Sequence, residues 1–450
     1  MRIFKSRKFK AVWMLVCVCG FLIAFEAVFS YFLLSVNSSM YFKYELEQYE
    51  KEGLEADMLF LGSSRVFEGF VPEVFEKELG MELVINGGSA TQRPESSYYL
   101  LKDMYRRFKP KVLVMGVQWN GILEESTDSQ KMESVLTAYD RMSLAGRLEY
   151  IPAFLLSDQL PNFSNIYRCR GDFRFEKMLN NARKRRKLET EGHTPDTSAD
   201  SYYYGKGFYY SNTRCERGNI PIMDENQDTF STDIISKEKI KYLDKICDFC
   251  AKHDIKLILV ASPISMMNMY HINGYQEAVD YFNAYAQEKG VCFDNLNFLK
   301  DREEWLGDDM MTDYIHLYGG AAMEVSSRYA QILKKHLDNE DVSGFFYKDL
   351  DELKAQVHRV AAVKAKFAKD EADEKLKHVS IEALGNEPEN FVYSVEISFD
   401  EGASWERLED KCGLEAFDLD TGSYPEGTMI KISVGLGEDD PECAWQIYTL

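Results

Sequence analysis

The sequence predicts a three-layer α/β/α domain with a five-stranded parallel sheet, an apolar helix before it and a small antiparallel β-sandwich after it. Between residues 56 and 340, short apolar runs alternate with amphipathic stretches, the pattern of a parallel sheet with crossover helices. Residues 11–34 are almost wholly apolar. From about residue 379, apolar and polar side chains alternate, which is typical of antiparallel strands.

The bulk composition restricts the class of protein. A chain of 450 residues is long enough for two or three domains. It carries 53 basic and 74 acidic residues, a net charge of −21. This balance argues against a nucleic-acid partner and suits a solvent-facing body.

The amino terminus differs from the rest of the chain. Five basic residues within positions 2–10 precede the apolar run, which is long enough to cross a bilayer. Basic residues before the span predict a cytoplasmic amino terminus and an extracellular body. A cleaved signal peptide is the alternative, but its apolar region would be shorter, and residues 35–39 make a poor cleavage site. We therefore predict that residues 1–39 are a basic head and a single-pass membrane anchor.

Glu26 lies inside this apolar run. A carboxylate within a membrane span is costly and usually faces a polar partner or water. The sequence leaves open two interpretations: a contact with a second membrane protein, and a tolerated glutamate near one end of the span.

The elements of the α/β domain, residues 40–340, follow from the apolar pattern. Residues 40–55 are charged and helical in pattern, and we interpret them as a stalk. Strands are predicted at residues 58–61, 83–85, 111–115, 256–261 and 291–293, and helices at 72–79, 94–108, 275–289 and 320–336. This alternation fits a flavodoxin-like strand order.

Residues 122–230 interrupt the alternation and are predicted to be an insertion over the carboxyl edge of the sheet. The insertion contains a basic run at 183–187 and a tyrosine-rich run at 202–210. The tyrosines could stack on sugar rings or pack the insertion. The basic run could bind polyanions or be a solvated helix face. Long insertions of this kind are usually functional or disordered.

The carboxyl-terminal part is predicted as a linker helix over residues 341–375 and a β-sandwich over 376–450. The helix prediction depends on an apolar stripe that begins at Leu350. The β-sandwich is either a carbohydrate-binding module or a structural appendage.

The nine cysteines do not predict a disulfide framework. Cys247 and Cys250 share a predicted helix and are expected to pack in the core, so we predict no metal site and no cofactor. Cys169 with Cys215, and Cys412 with Cys443, could pair outside the cell.

The candidate chemistry begins at the end of the first strand. Gly62 permits a sharp turn there. Ser64 would then lie at the carboxyl end of the strand, where open α/β sheets bind their ligands. A serine becomes a nucleophile only when a base reaches it, and Asp313 and His316 offer one much later in the chain.

Four features in order resemble the SGNH (GDSL-like) hydrolase superfamily over residues 56–340. They are Gly-Ser-Ser at 62–64, an Asn-containing turn at 86–92, polar residues after the third strand, and Asp-x-x-His at 313–316. The resemblance implies that Ser64 attacks an ester carbonyl, His316 is the general base and Asp313 orients the imidazole. The alternative is a noncatalytic flavodoxin-like domain.

The resemblance also implies donors for an oxyanion. The family's second block supplies a glycine N–H, and the corresponding position here is Thr91. Its third block supplies a side-chain amide, for which Gln118 is the first candidate and Asn120 the second. Arg65 and Trp119, beside these positions, are predicted to contact the substrate.

Within the superfamily, Gly-Ser-Ser and Gln-Trp resemble the membrane-anchored proteins of teichoic-acid D-alanylation and alginate O-acetylation. This implies a serine acyltransferase or esterase acting on acetyl or D-alanyl esters of a cell-surface polysaccharide or teichoic-acid-like polymer. It also implies a membrane-bound O-acyltransferase as partner, reached through the transmembrane helix. A small-ester or lipid esterase and a noncatalytic glycan-binding module are the alternatives.

Overall fold

The computed structural model describes residues 7–123, 128–156, 159–215, 229–370, 372–373, 375–437 and 444–450. Two helices come first, α1 (Arg7–Leu33) and α2 (Ser38–Glu52). The first half of the α/β domain then comprises β1 (Met58–Leu61), α3 (Ser64–Phe67), α4 (Pro72–Leu79), β2 (Val84–Asn86), α5 (Pro94–Phe108) and β3 (Val112–Gly116).

The predicted insertion contains regular structure. Its described elements are α6 (Asp128–Arg141), α7 (Leu144–Glu149), α8 (Ile151–Leu156), α9 (Asn165–Arg168), α10 (Phe175–Glu191), β4 (Ser201–Gly205) and β5 (Phe208–Ser211), with a 3-10 helix at Leu160–Phe163.

The second half of the α/β domain returns to alternating strands and helices. It comprises α11 (Lys237–Lys252), β6 (Lys256–Ala261), α12 (Met266–His271), α13 (Tyr275–Lys289), β7 (Cys292–Asn295), α14 (Arg302–Trp305) and α15 (Gly319–Leu337).

The central sheet has the order β2-β1-β3-β6-β7, and all its neighbours are parallel. The predicted flavodoxin-like order is therefore confirmed. All four residues of β1 are buried because helices cover both faces of the sheet. β1 lies between β2 and β3, so the residues that follow it come to the middle of the carboxyl edge.

The prediction that residues 40–55 form a stalk is wrong. Asn37 caps the first turn of α2, and the helix buries Phe42 and Leu46 completely in the core. Glu45 accepts hydrogen bonds from the hydroxyl of Tyr203 and, at 2.8 Å, from the N–H of Lys206. α2 is therefore an integral helix of the domain, and its charged residues form only its outer face.

The hairpin β4–β5 covers the outer edge of the sheet. The N–H of Asn86 on edge strand β2 donates to the carbonyl of Lys206 at 2.9 Å. The next residue, Gly207, has φ +91°, and a Cβ there would overlap the Asn86 carbonyl. Only glycine permits this approach, so the hairpin is fixed on the edge that would otherwise be open.

α1 contains the apolar stretch Lys10–Leu33, 24 residues, long enough to cross a membrane as an anchor or to serve as a signal sequence. The carboxylate of Glu26 has hydrogen-bond donors within the chain. Its carboxylate accepts hydrogen bonds from Ser164 Oγ at 2.8 Å and from the N–H groups of Asn165 and Ile166. The polar partner of Glu26 thus belongs to the same chain.

The carboxyl-terminal part comprises α16 (Leu350–Gln356), β8 (Val360–Lys369), β9 (Leu376–Gly385), β10 (Phe391–Ser398), β11 (Glu406–Arg407), β12 (Ala416–Asp420), β13 (Met429–Leu436) and β14 (Ala444–Thr449). These strands form two antiparallel sheets, β11-β10-β13-β14 and β12-β9-β8, which share one apolar core. The predicted β-sandwich is confirmed.

The predicted linker helix over 341–375 is correct only at Leu350–Gln356. From Val360 the chain is a strand in which Val363 and Ala365 alternate with Lys364 and Lys366. The apolar residues at helical spacing that predicted a long helix cover only its first one or two turns. Beyond them, apolar and polar residues alternate, as in a strand. The β-sandwich therefore includes residues assigned from the sequence to a linker.

The cysteines mostly serve packing. Cys247 and Cys250 are buried on α11, as predicted. Cys169 is a thiol whose sulfur lies 3.9 Å from the carbonyl oxygen of Leu33, so the suggested bridge to Cys215 is not formed. Cys443 lies outside the described residues.

Candidate active site

The turn after β1 places Ser64 at the carboxyl edge of the sheet. Gly62 has φ +149°, and a Cβ there would press on Val66 and on the backbone of Gly116 in β3. The chain can therefore turn sharply and start α3 at Ser64, with Ser63 as its N-cap. The hydroxyl of Ser64 consequently projects from the middle of the sheet edge.

Three side chains predicted from the sequence meet at this point. His316 Nε2 lies 2.7 Å from Ser64 Oγ, and His316 Nδ1 lies 2.8 Å from Asp313 Oδ2. With the proton on Nδ1, the imidazole donates to the carboxylate and accepts from the hydroxyl. This is the arrangement of a serine nucleophile, its base and the carboxylate that orients the base.

The loop that carries the base is held by backbone hydrogen bonds. Asp313 Oδ1 accepts from the N–H groups of Ile315 and His316, each at 2.8 Å. Burial works to raise the pKa of Asp313. The hydrogen bonds and the nearby imidazole outweigh it, and the pKa lies below its ordinary value. Asp313 is therefore a carboxylate at neutral pH, as an orienting group must be.

The insertion supports this loop from outside. The hydroxyl of Thr312 donates to the carbonyl of Thr213 at 3.0 Å, and the N–H of Cys215 donates to the carbonyl of Met311 at 2.7 Å. Residues just after β5 thus pair with the residues just before Asp313. No pattern in the sequence predicted that the insertion supports the loop before Asp313.

Gln118, the first candidate for the oxyanion amide, lies beside the nucleophile but contacts its neighbour. Its Nε2 donates to Ser63 Oγ. Asn120, the second candidate, is exposed at the start of the insertion. The amide of Gln118 therefore reaches the serine pair from the end of β3.

Thr91 occupies the position that the resemblance assigns to a glycine. Its φ of +51° is in the left-handed region, which glycine adopts most readily and which is uncommon for a β-branched residue. The backbone thus keeps the glycine conformation despite the side chain. The Thr91 hydroxyl lies 3.4 Å from the carbonyl oxygen of Gln130 and 3.4 Å from Glu133 Oε2.

Arg65 and Trp119 lie in the wall of the site rather than on its surface. Arg65 is 7% exposed and Trp119 is 6% exposed. With Gln118, Asn295 and other residues they line a cavity of about 30 Å³ at the ends of β3, β6 and β7. Their contact with the substrate stays a prediction. In the structure, Arg65 and Trp119 form part of the wall of this cavity.

Glu68 is a site residue that the sequence did not suggest. It follows α3, four residues after Ser64, and burial raises its pKa to about 7, with His316 and Asp313 as the nearby charges. The spacing of Ser64 and Glu68 on one helical turn is the only sequence signal, and such spacing is common.

A tyrosine face adjoins the base. We define it as Tyr202, Tyr204, Tyr210 and Tyr318, which are all partly exposed. The ring of Tyr210 stacks on Tyr202 at 5.2 Å and meets Tyr318 edge-on at 6.2 Å. Tyr318 follows His316 by two residues. The sequence left open whether the tyrosine-rich run packs the insertion or stacks on sugar rings. Three of its tyrosines belong to this face, next to the loop that carries His316.

Within the described parts of the chain, no group of three or more His, Cys, Asp or Glu side chains could hold a metal ion. The groups gathered at the sheet edge are instead a hydroxyl, an imidazole, carboxylates and an amide. Such groups can perform acyl transfer by proton transfer and nucleophilic attack.

Comparison with known proteins gives distant structural similarity. No protein-family model matches the chain, and no curated protein matches it. A GDSL-like lipase from Bacteroides thetaiotaomicron matches with a TM-score of 0.30 at 10% identity, covering 66% of this chain and 99% of that one. A two-domain esterase active on acetylated mannans matches with a TM-score of 0.26 at 11% identity, covering 90% and 92%. At these values the similarity carries no argument about this chain's chemistry, which depends on its own side chains.

Proposed function

We propose that the chain is a serine ester hydrolase or O-acyltransferase of the SGNH type. The single observation that carries this proposal is the hydrogen-bonded series Ser64, His316 and Asp313. A structural serine needs no imidazole aligned on its hydroxyl, and a surface histidine needs no carboxylate aligned behind it. The series occurs at the sheet edge where open α/β domains bind their ligands.

The reaction follows from the protonation states. Ser64 Oγ attacks an ester carbonyl while His316 Nε2 takes the hydroxyl proton, and Asp313 stabilises the imidazolium. The C–O bond to the leaving alcohol then breaks, and His316 returns the proton to that alcohol. A water or an acceptor hydroxyl attacks the acyl-serine in turn, again with His316 as base. Water gives hydrolysis, and an acceptor hydroxyl gives transfer.

The tetrahedral intermediate carries a negative charge that needs donors. The backbone N–H of Ser64, at the first position of α3, adjoins the attacking oxygen and is one candidate donor. Gln118 can supply a side-chain donor if its amide turns from Ser63 towards the intermediate, and the N–H of Thr91 is the third candidate. One lost donor of this kind typically costs 10²–10³ in kcat.

We further propose that the enzyme is anchored in the cell membrane and acts outside it. The contacts of Glu26 with Ser164, Asn165 and Ile166 support an anchor over a cleaved signal. A signal sequence would be removed, and these partly buried donors would lose their acceptor. The basic residues before the apolar stretch of α1 favour a cytoplasmic amino terminus.

The proposed substrate is an acetyl or D-alanyl ester on a cell-surface glycopolymer. The tyrosine face supports it because partly exposed aromatic rings offer flat apolar surfaces, on which sugar rings can stack. A membrane-bound O-acyltransferase remains the proposed partner, by resemblance. Glu26 no longer supports that partner, since its carboxylate is occupied within the chain.

Covalent labelling tests the enzymatic proposal. A serine-reactive phosphonate should label the wild-type protein and the Ser63→Ala variant, and should fail to label Ser64→Ala. Ser63→Ala is a matched control because the two serines are adjacent and lose the same atom. Labelling retained in Ser64→Ala, or absent from the wild type, would overturn the proposal. Product analysis of an acylated polymer, with and without a deacylated acceptor, then separates transfer from hydrolysis.

A further inference from the structure

The insertion forms hydrogen bonds with the carboxyl-terminal half of α1 at several positions along the helix axis. Ser164 and the backbone of Asn165 bind Glu26, and Asn165 Nδ2 donates to Ser30 Oγ at 2.8 Å. Higher on the helix, Asn181 Nδ2 donates to the carbonyls of Phe32 and Leu33, each at 3.1 Å. The insertion is therefore joined to α1 along its side and not only at its end.

The helix geometry sets the depth of these contacts. Glu26 precedes Leu33 by seven residues, which corresponds to about 10 Å along the axis. A hydrocarbon core of about 30 Å takes up about 20 residues, so a span that starts at Lys10 leaves the core near Ser30. Glu26 lies below that level. The 3-10 helix and α9, which hold Glu26, must then reach the hydrocarbon boundary.

The insertion exposes large apolar side chains in this region. Outside α1, thirteen large hydrophobic side chains are exposed among the described residues, and eight of them lie between Leu144 and Leu179. Five belong to the 3-10 helix, α9, α10 and the turn between them. We define these five as the lipid-facing surface: Leu160, Tyr167, Phe173, Phe175 and Leu179. Phe175 is 76% exposed, an unusual value for a phenylalanine in water.

The charge next to this surface is positive, although the chain as a whole carries −21. Arg183, Lys184, Arg186 and Lys187 are exposed on α10. Between them, the guanidinium of Arg185 stacks on the ring of Tyr31 at 4.8 Å, which fixes the run beside the outer end of α1. Basic residues above an apolar surface match the anionic headgroups above lipid tails.

We propose that the lipid-facing surface lies in the outer leaflet of the membrane, with the basic run of α10 among the phospholipid headgroups. This inference depends on the proposed role of α1 as a membrane anchor. The catalytic domain is then held against the bilayer by two elements, a span and an interfacial surface. Ser64 consequently stays at a fixed height above the membrane, and the substrate ester must come to that height.

Depth-dependent quenching in the full chain tests the inference. An environment-sensitive fluorescent amino acid is placed by codon suppression at one position at a time, and the protein is reconstituted in vesicles of phosphatidylcholine and phosphatidylglycerol. Lipids with a doxyl group high on the acyl chain should quench the probe at Leu160 and at Phe175. They should not quench it at Phe399, an exposed phenylalanine of the β-sandwich, which serves as the matched control.

A probe at Phe21, in the apolar part of α1 and near the middle of the span, separates the two ways of failing when it is read with lipids that carry the doxyl group near the end of the acyl chain. Quenching at Phe21 without quenching at Leu160 or at Phe175 would overturn the lipid-facing surface and leave the anchor intact. No quenching at Phe21 would overturn the anchor, and the inference with it. Equal quenching at Phe399 would show that the whole body contacts lipid, and would also contradict a specific surface.

Discussion

His316 Nε2 lies 2.7 Å from Ser64 Oγ, although 252 residues separate the two in the chain. The serine is fixed by the turn after β1, and the histidine by the loop that Asp313 closes. That loop is in turn paired with the chain after β5 through Thr312 and Cys215. The alignment of base and nucleophile therefore depends on the insertion as well as on the sheet.

Asp313→Asn should lower kcat for an activated ester by about 10³–10⁴ without unfolding the protein. The amide oxygen can still accept from the N–H groups of Ile315 and His316, so the loop keeps its shape. The amide NH₂, however, donates to His316 Nδ1, so the imidazole carries its proton on Nε2. In this tautomer Nε2 cannot accept the proton of Ser64, and His316 cannot act as a base. Steady-state kinetics and a thermal melt check both parts. A kcat within threefold of wild type would remove Asp313 from the mechanism.

Gln118→Ala should lower kcat by 10²–10³ and leave KM nearly unchanged, as for the loss of one oxyanion donor. Asn120→Ala is the matched control and should have little effect, because Asn120 is exposed, whereas Gln118 Nε2 donates to Ser63 Oγ. If Asn120→Ala has the larger effect, the assignment of the amide donor is reversed.

Glu68 should make stability depend on pH. Burial raises its pKa from 4.5 to about 7. Between these values the folded protein holds a proton that the unfolded chain has released, so the folded state loses stability as the pH rises through this window. Glu68→Gln removes the titrating group. Its Tm should exceed that of wild type at pH 8 and match it near pH 4.

A control for this measurement is Glu55→Gln. Glu55 is exposed, and its hydrogen bond with Lys109 lowers its pKa. It should therefore not reproduce the gain at pH 8. A wild-type Tm that exceeds that of Glu68→Gln at pH 8 would show that the ionised carboxylate is stabilised in the fold.

Glu26→Leu should loosen the insertion from α1. The change leaves the Ser164 hydroxyl and the N–H of Asn165 without their charged acceptor, and hydrogen bonds to charged groups contribute about 1.5–3 kcal/mol. Trypsin should then cleave after Arg168 and Arg174 about tenfold faster in the detergent-solubilised full chain. Glu26→Gln keeps an acceptor oxygen and should be intermediate, and Glu47→Leu, an exposed change on α2, should cleave as wild type does. Equal cleavage rates for all four proteins would contradict the role of Glu26.

Several features of the fold were predictable from local sequence. The strands β1 and β6 and the helices α4, α5 and α13 begin and end where the apolar period, Pro at the first turn and Gly after the last turn place them. Ser64, Asp313 and His316 were identifiable because each stands in a short motif next to a predicted strand or helix end. These signals come from residues a few positions apart.

Other features were decided only by contacts between distant parts of the chain. The charged pattern of residues 40–55 contains too few apolar residues to indicate that Phe42 and Leu46 are completely buried. The alternation in β8 was hidden by an apolar stripe of helical period, and only pairing with β9 selects the strand.

The sequence alone determined the α/β class, the positions of the five central strands and the candidates for nucleophile, base and orienting carboxylate. The tertiary structure decided that these three groups align, that the insertion supports the base, and that Glu26 is bound by Ser164, Asn165 and Ile166. The physical reason is the separation along the chain of the residues that determine each feature. Helix and strand periods and capping motifs depend on neighbours within a few residues. The alignment of His316 on Ser64, and the acceptor role of Glu26, depend on the packing of elements more than a hundred residues apart.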